Sequence, residues 1–128
     1  MRKKLVVAPR VRESAERLGT FNPDLLAALA DALRALEAGR EPSADDHPLR
    51  GTLTGWRACG LGDVAILDRQ TGQAIYMPTR LVYHVSDDNR RVDVVAFDLH
   101  DEAYRMAQGE RVSKLPPVKR RRAVKKIK

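Results

Sequence analysis

Residues 21–39, FNPDLLAALADALRALEAG, leave little freedom in how this chain folds. Asn22 can cap a helix, Pro23 suits a first helical position where its missing N–H costs nothing, and Asp24 favours the positive end of the dipole. Leu26, Leu29, Leu33 and Leu36 recur at spacings of three and four and predict one apolar stripe, which Gly39 ends. A second helix comes just before. Pro9 opens it, Val11, Ala15 and Leu18 share a face, and Gly19 is placed to close it. Only Gly-Thr-Phe-Asn joins the two, which predicts an antiparallel helical hairpin.

Around the hairpin the chain reads as β. Lys4–Ala8 is short, apolar and β-branched. After a polar loop, Arg40–Asp46, strands are expected at Gly55–Gly60, Val64–Leu67, Ala74–Met77 (stopped by Pro78), Arg80–Val85 and Arg91–Asp98. Gln70–Gln73 and Ser86–Asn89 have turn composition. Asp98–Ala107 reads as a short turn or helix carrying His100, Asp101 and Tyr104. The expected fold is α+β: a β-α-α start, an antiparallel meander and a short C-terminal helix. The helices cover one sheet face and leave the other partly open.

A chain of 128 residues suits one domain with one core. Its net charge of +7 is unevenly spread. Residues 111–128 hold nine Lys and Arg and no acid, leaving 15 basic against 17 acidic side chains in the rest. The expected division is therefore a folded domain, 1–108, and a basic tail, 109–128, disordered unless bound. No apolar run approaches the ~18 residues a membrane helix needs, and the apolar segment near the N-terminus is too short for a signal peptide. The single cysteine, Cys59, excludes an intrachain disulfide and a cysteine-based zinc cluster. A cytoplasmic protein without metal or cofactor is the expectation.

The stretch HPLRGTLTGWRACGLGD, His47–Asp63, fits neither a helix nor a plain strand. Asp46-His-Pro-Leu-Arg-Gly51 is similar to the D-H-P-L-x-G loop of YafQ-like toxins, and Gly55-Trp-Arg57 to the G-[YW]-R of the wider RelE/ParE superfamily. Gly62-Asp63 and Arg80-Leu-Val-Tyr83 match G-D-x-R-x-x-Y once Val64–Thr79 is read as an inserted hairpin. His100-Asp-Glu-Ala-Tyr104 resembles the terminal H-x-x-x-[YF]. In order and spacing, residues 1–107 thus resemble the RelE/ParE superfamily of type II toxin–antitoxin toxins. The resemblance implies a RelE-like sheet on a helical hairpin and a metal-independent endoribonuclease. Such an enzyme cuts mRNA on the ribosome, and a cognate antitoxin silences it.

Cutting RNA without a metal needs a base for the 2′-hydroxyl, cations around the phosphate and an acid for the leaving oxygen. The implied set is His100, His47, Arg57, Arg80, Tyr104 and Asp63. Arg50 and the tail residues Lys119, Arg120, Arg121, Arg122, Lys125 and Lys126 would contact RNA. Histidine titrates near neutrality, arginine is permanently charged and forked, and an aromatic ring stacks on a base. Each residue also has a plainer use. His47 could bond a neighbouring carboxylate, His100 could cap a helix with Asp101, and Asp63 could supply a turn. Arg57 and Arg80 could pair with Asp63 or Asp98. Trp56 reads as core, His84 has no assigned role, and Cys59 reads as inert. The chain departs from the YafQ-like pattern at Ala58-Cys59-Gly60, where that branch has a second histidine. It also lacks the lysines other members place before the second strand. Two other functions therefore stay open: a ParE-like inhibitor of DNA gyrase, and a nucleic-acid-binding adaptor without toxicity.

Overall fold

The computed structural model of the chain describes residues 2–113. Its elements in order are β1 (Lys4–Val7), α1 (Pro9–Phe21), α2 (Asp24–Glu37), β2 (His47–Pro48), a 3-10 turn (Gly51–Leu53), β3 (Arg57–Cys59), β4 (Asp63–Leu67), β5 (Ala74–Val85), β6 (Arg91–Leu99) and α3 (His100–Ser113). The sheet runs β1-β6-β5-β3-β2, with β4 paired to β5 beyond β3. β1 lies parallel to β6, and the other pairings are antiparallel. The expected α+β architecture is what forms, with the short strand β2 added where a loop was read. No described helix is long and apolar enough to cross a membrane.

The helical hairpin forms, with its buried stripe turned by one residue. Leu25, Leu29, Ala32 and Leu36 face the core, whereas Leu26 is 47% exposed and Leu33 only half-buried. Both stripes contain Leu29 and Leu36, and sequence spacing favoured the larger Leu33 over Ala32. Packing decides otherwise, because Leu26 is needed elsewhere. It lies over Gly19, where an added Cβ would come within 3.0 Å of its side chain. Gly19 therefore serves close approach between helices and does not close α1, which continues to Phe21. Asn22 joins the helices: its N–H reaches the Leu18 carbonyl at 3.0 Å, and its Oδ1 accepts the Asp24 N–H at 3.2 Å. Gly39 ends α2 as expected, with φ of +78°.

Two apolar clusters sandwich the sheet. On the hairpin side Val11, Leu18, Leu25 and Leu29 meet Cys59, Leu81, Tyr83, Val94 and Phe97. On the other, Leu53, Trp56, Ala58, Val82, Val95 and Ala96 meet Ala103 and Ala107 of α3. That second face was expected to be partly open, and α3 covers it. A bulge helps: the register steps from Val82↔Ala96 to Tyr83↔Val94, leaving Val95 unpaired and turned with Ala96 toward α3. The helix includes Gly109 and is described as far as Ser113.

Pro78 does not stop its strand. β5 runs unbroken through it from Ala74 to Val85. Along an antiparallel strand the bonding direction alternates, and the Thr79 N–H bonds Gly62 on the β4 side at 3.0 Å. Pro78 therefore faces the β6 side, where pairing begins only at Thr79↔Leu99, so its missing N–H costs no ladder bond. The inserted hairpin forms as expected, β4 against the first half of β5. Its turn is held by the Asp68 carboxylate, which accepts the Gln70 N–H at 2.9 Å and the Thr71 hydroxyl at 3.1 Å.

Candidate functional site

The sequence-predicted residues fall into separate groups. Arg57 pairs with Tyr83 across β3 and β5 and shares its hairpin-side face. Its Nε and Nη2 donate to Asp46 Oδ2 at 2.9 and 2.8 Å, and the Tyr83 hydroxyl donates to Asp46 Oδ1 at 2.6 Å. The Asp46 side chain is only 2% exposed. Burial first, and then the bond to Asp46, push the Tyr83 phenol well above its ordinary range; the same carboxylate raises Arg57 further. The three groups answer one another, and a pocket of about 270 Å³, lined also by Lys3, Arg40 and Glu41, opens beside them. The Arg57 charge is answered inside the protein, by Asp46 and not by the Asp63 or Asp98 considered from sequence.

Arg80 stands three residues before Tyr83 on β5, so alternation turns it to the opposite face, with Val82. Arg57 and Arg80, both in the set implied by the resemblance, therefore do not come together, because the two arginines are out of phase across the pair. The match of Gly62-Asp63 with Arg80-Leu-Val-Tyr83 to G-D-x-R-x-x-Y fails with them. Arg80 Nη1 donates to the Thr79 carbonyl at 2.8 Å. Its guanidinium lies against Gly60, where an added Cβ would meet Nη1 and Asp45 Oδ2 each at 2.8 Å. Asp45 also accepts the Gly60 N–H at 3.0 and 3.1 Å. The Ser43 hydroxyl above all, with Gly60 N–H and Arg80, holds the Asp45 carboxyl below its usual range against the cost of burial. Asp98 is engaged elsewhere. It is buried, accepts from Ser14 Oγ at 3.0 Å and from Arg17, and ties α1 to β6.

His100 begins α3, two residues after the Asp98 that pairs with Arg80. Its ring stands edge-on to Tyr104, centroids 4.8 Å apart at 80°, and its Nδ1 lies 2.9 Å from Asp101 Oδ1. With Nδ1–H donated to that carboxylate, Nε2 is left as the proton-transfer atom. Tyr104 is half-buried against the Trp56 cluster. A cleft of about 550 Å³ separates α3 from the β4–β5 hairpin, lined by Met77, Pro78, His100, Asp101, Glu102 and Arg105 among others. Arg105 is bonded to Glu102 at 2.7 Å.

The remaining candidates lie apart. His47 pairs with Ala58 on β2, exposed, its Nδ1 2.8 Å from the Asp45 carbonyl. Three strand spacings of about 4.8 Å separate β2 from β6, which puts roughly 14 Å between the backbones of His47 and His100 before any shift along the strands. Asp63 opens β4 at the surface, its carbonyl held by Asn22 Nδ2 at 3.0 Å, which fits its plainer role in a turn. Arg50 is exposed ahead of the 3-10 turn. Lys119, Arg120, Arg121, Arg122, Lys125 and Lys126 lie outside the described residues. Trp56 is core as expected, 7% exposed, its ring 6.0 Å from that of His84. Burial raises the Cys59 thiol to about 12, consistent with an inert side chain. Sequence reasoning passed over Asp45, Asp46 and Gly60. The adjacent acids before His-Pro and the glycine ending β3 were the available signal.

No family model and no curated protein matches this sequence. Solved structures do. A chain of the toxin–antitoxin complex RelBE2 from Mycobacterium tuberculosis matches with a TM-score of 0.50 at 20% identity, over 78% of this chain and 100% of that one. The YoeB/ParE toxin from Agrobacterium tumefaciens matches at 0.49 and 24%, over 76% and 98%. With β1 parallel to β6, a helical hairpin on one sheet face and α3 on the other, the chain has a RelE-like fold.

Proposed function

We propose that this chain is the toxin of a type II toxin–antitoxin pair, a ribosome-dependent endoribonuclease of the cytoplasm held inactive by a cognate antitoxin. One observation carries the reading: Arg80 on β5 pairs with Asp98 on β6, two residues before His100, whose ring stands edge-on to Tyr104 and lines an open cleft. In this arrangement Arg80 neutralises the phosphate and Tyr104 supports a base or the His100 ring. His100 moves a proton through Nε2. The 2′-oxygen attacks phosphorus as its proton leaves to a base, and the 5′-oxygen departs with a proton from an acid, leaving a cyclic phosphate and a free 5′-hydroxyl. Each phosphate that the basic tail neutralises would steepen the salt dependence of RNA association by roughly 0.7–0.9 in the log–log slope.

A second reading, inhibition of DNA gyrase by binding alone, is favoured by a specific observation. Arg57 is neutralised by Asp46, and His47 is remote from His100. Mapping mRNA 5′ ends after brief induction, with wild type and His100→Ala side by side, decides between the two. New 5′ ends that vanish in the variant support the nuclease. Growth arrest without new ends favours gyrase, and no arrest favours the adaptor.

A further inference from the structure

The ribbon made by β4 and the first half of β5 has an edge unlike the others described. The Thr79 N–H bonds the Gly62 carbonyl at 3.0 Å and the Asp68 N–H the Gln73 carbonyl at 2.8 Å, which sets the phase of the β4–β5 ladder. Bonding alternates along such a ladder, so Asp63, Ala65 and Leu67 turn their N–H and C=O away from β5. The Asp63 carbonyl is held by Asn22, while Ala65 and Leu67 are exposed, Leu67 by 66%. Ile75, Tyr76 and Met77 extend the apolar surface along the ribbon, and Phe21, beside Asn22, is 58% exposed. No residue in 64–67 or 74–77 carries a charge. The other outer strands are guarded: Lys3 and Lys4 stand at β1, and β2 is two residues long and ends in Pro48. Charges, prolines and shortness are the usual devices that stop edge strands from pairing.

We infer that β4 pairs antiparallel with β4 of a second copy of this chain, about a two-fold axis at Ile66. The strand matches itself in this register. Ala65 of one copy faces Leu67 of the other, and both are the outward-bonding residues, so each pair exchanges backbone hydrogen bonds. Within the strand Ala65 meets Leu67 and Ile66 meets Ile66, so no like charges face each other, and Asp63 of one copy and Arg69 of the other flank the pairing at its ends. An axis at Ala65 would instead require the Asp63 edge, which Asn22 and the helical turn cover. The far edge of β5 is a poorer template, because its outward residues are Ala74, Tyr76 and Pro78, and proline donates nothing. A two-stranded ribbon is marginal by itself, and pairing would make it four-stranded. The inference does not depend on the target the chain acts on.

Sedimentation of the full chain over a roughly hundredfold concentration range tests this, since a dimer held by mass action dissociates on dilution. Wild type should show that behaviour. Ala65→Pro and Leu67→Lys should each weaken association at least about tenfold, with circular dichroism and melting confirming that both remain folded. Ile66→Cys should form a reducible disulfide between copies, since residues facing across a non-hydrogen-bonded pair have Cα atoms about 4.5 Å apart. Ala65→Cys, staggered in this register, should not. A wild type that stays monomeric throughout overturns the proposal, as does a dimer that both edge variants leave unchanged. Cross-linking through Cys at position 65 in place of 66 overturns the register.

Discussion

Arg57 and Arg80 stand on neighbouring strands of one sheet, and their surroundings differ in kind. Arg57, on the hairpin side, is fastened by two bonds to a carboxylate that is 2% exposed, and that carboxylate also holds Tyr83. Arg80, on the α3 side, is bonded to a main-chain carbonyl, with the exposed Asp45 carboxylate beside it. The first arrangement joins the polar loop to the strands. The second leaves a cation at the end of the sheet where His100 and Tyr104 arrive. Residue type and motif position do not separate a structural arginine from one available to a phosphate; the partner and its burial do.

The sharpest way to break this contrast is on the α3 side. His100→Ala should lower RNA cleavage by roughly 10²–10⁴-fold if the imidazole is the acid or base, while the melting temperature stays near that of wild type because the ring is part-exposed on α3. Arg80→Ala should also act on cleavage more than on melting. Equal loss of melting temperature and activity in both variants would make the α3 end as structural as the Arg57 end.

Leu25→Ala should destabilise the fold by about 2–5 kcal/mol, the usual cost of emptying a buried leucine site, because Leu25 is only 2% exposed. Leu26→Ala should cost clearly less in the same urea titration, and equal costs would restore the stripe read from sequence. This pair marks how far the fold was legible. Period and turn composition located both helices, the order of the strands and the inserted hairpin, because those signals are local. The phase of α2 was not legible, since it depends on Leu26 meeting Gly19 in another helix. Nor was the passage of β5 through Pro78, which depends on where β6 stops pairing. In the candidate site, His100 and Tyr104 were legible because four residues of one helix separate them. The separation of Arg57 from Arg80 is a matter of register across strands, and residue spacing carries no direct record of it.

Asp46→Ala probes the hairpin side. It strips Arg57 and the Tyr83 hydroxyl of a shared acceptor, and a loss of about 1–3 kcal/mol is expected from the unpaired polar groups left behind. Cleavage per folded molecule should be unchanged. A large loss of activity with little loss of stability would move the working site to the Arg57 face.

The smallest effect concerns Asp45, and its sign follows from the direction of its shift. The Ser43 hydroxyl, Gly60 N–H and Arg80 hold the folded carboxyl below its ordinary value of 3.8. Folding therefore favours the ionised form. That contribution is present at pH values above the unfolded pKa and is lost as pH falls through the lower, folded value. Asp45→Asn should be slightly less stable than wild type near neutrality, with the difference shrinking in acid. It stays small because the carboxyl is largely solvated and screened. The same substitution removes the carboxylate beside Arg80 and leaves Arg57–Asp46 untouched. RNA association should then tighten modestly and become more salt-dependent, since a cation freed from its acid can take up a phosphate. An unchanged salt slope in Asp45→Asn, with the stability difference seen as expected, would mean that Arg80 does not meet RNA and that both arginines of the sheet are structural.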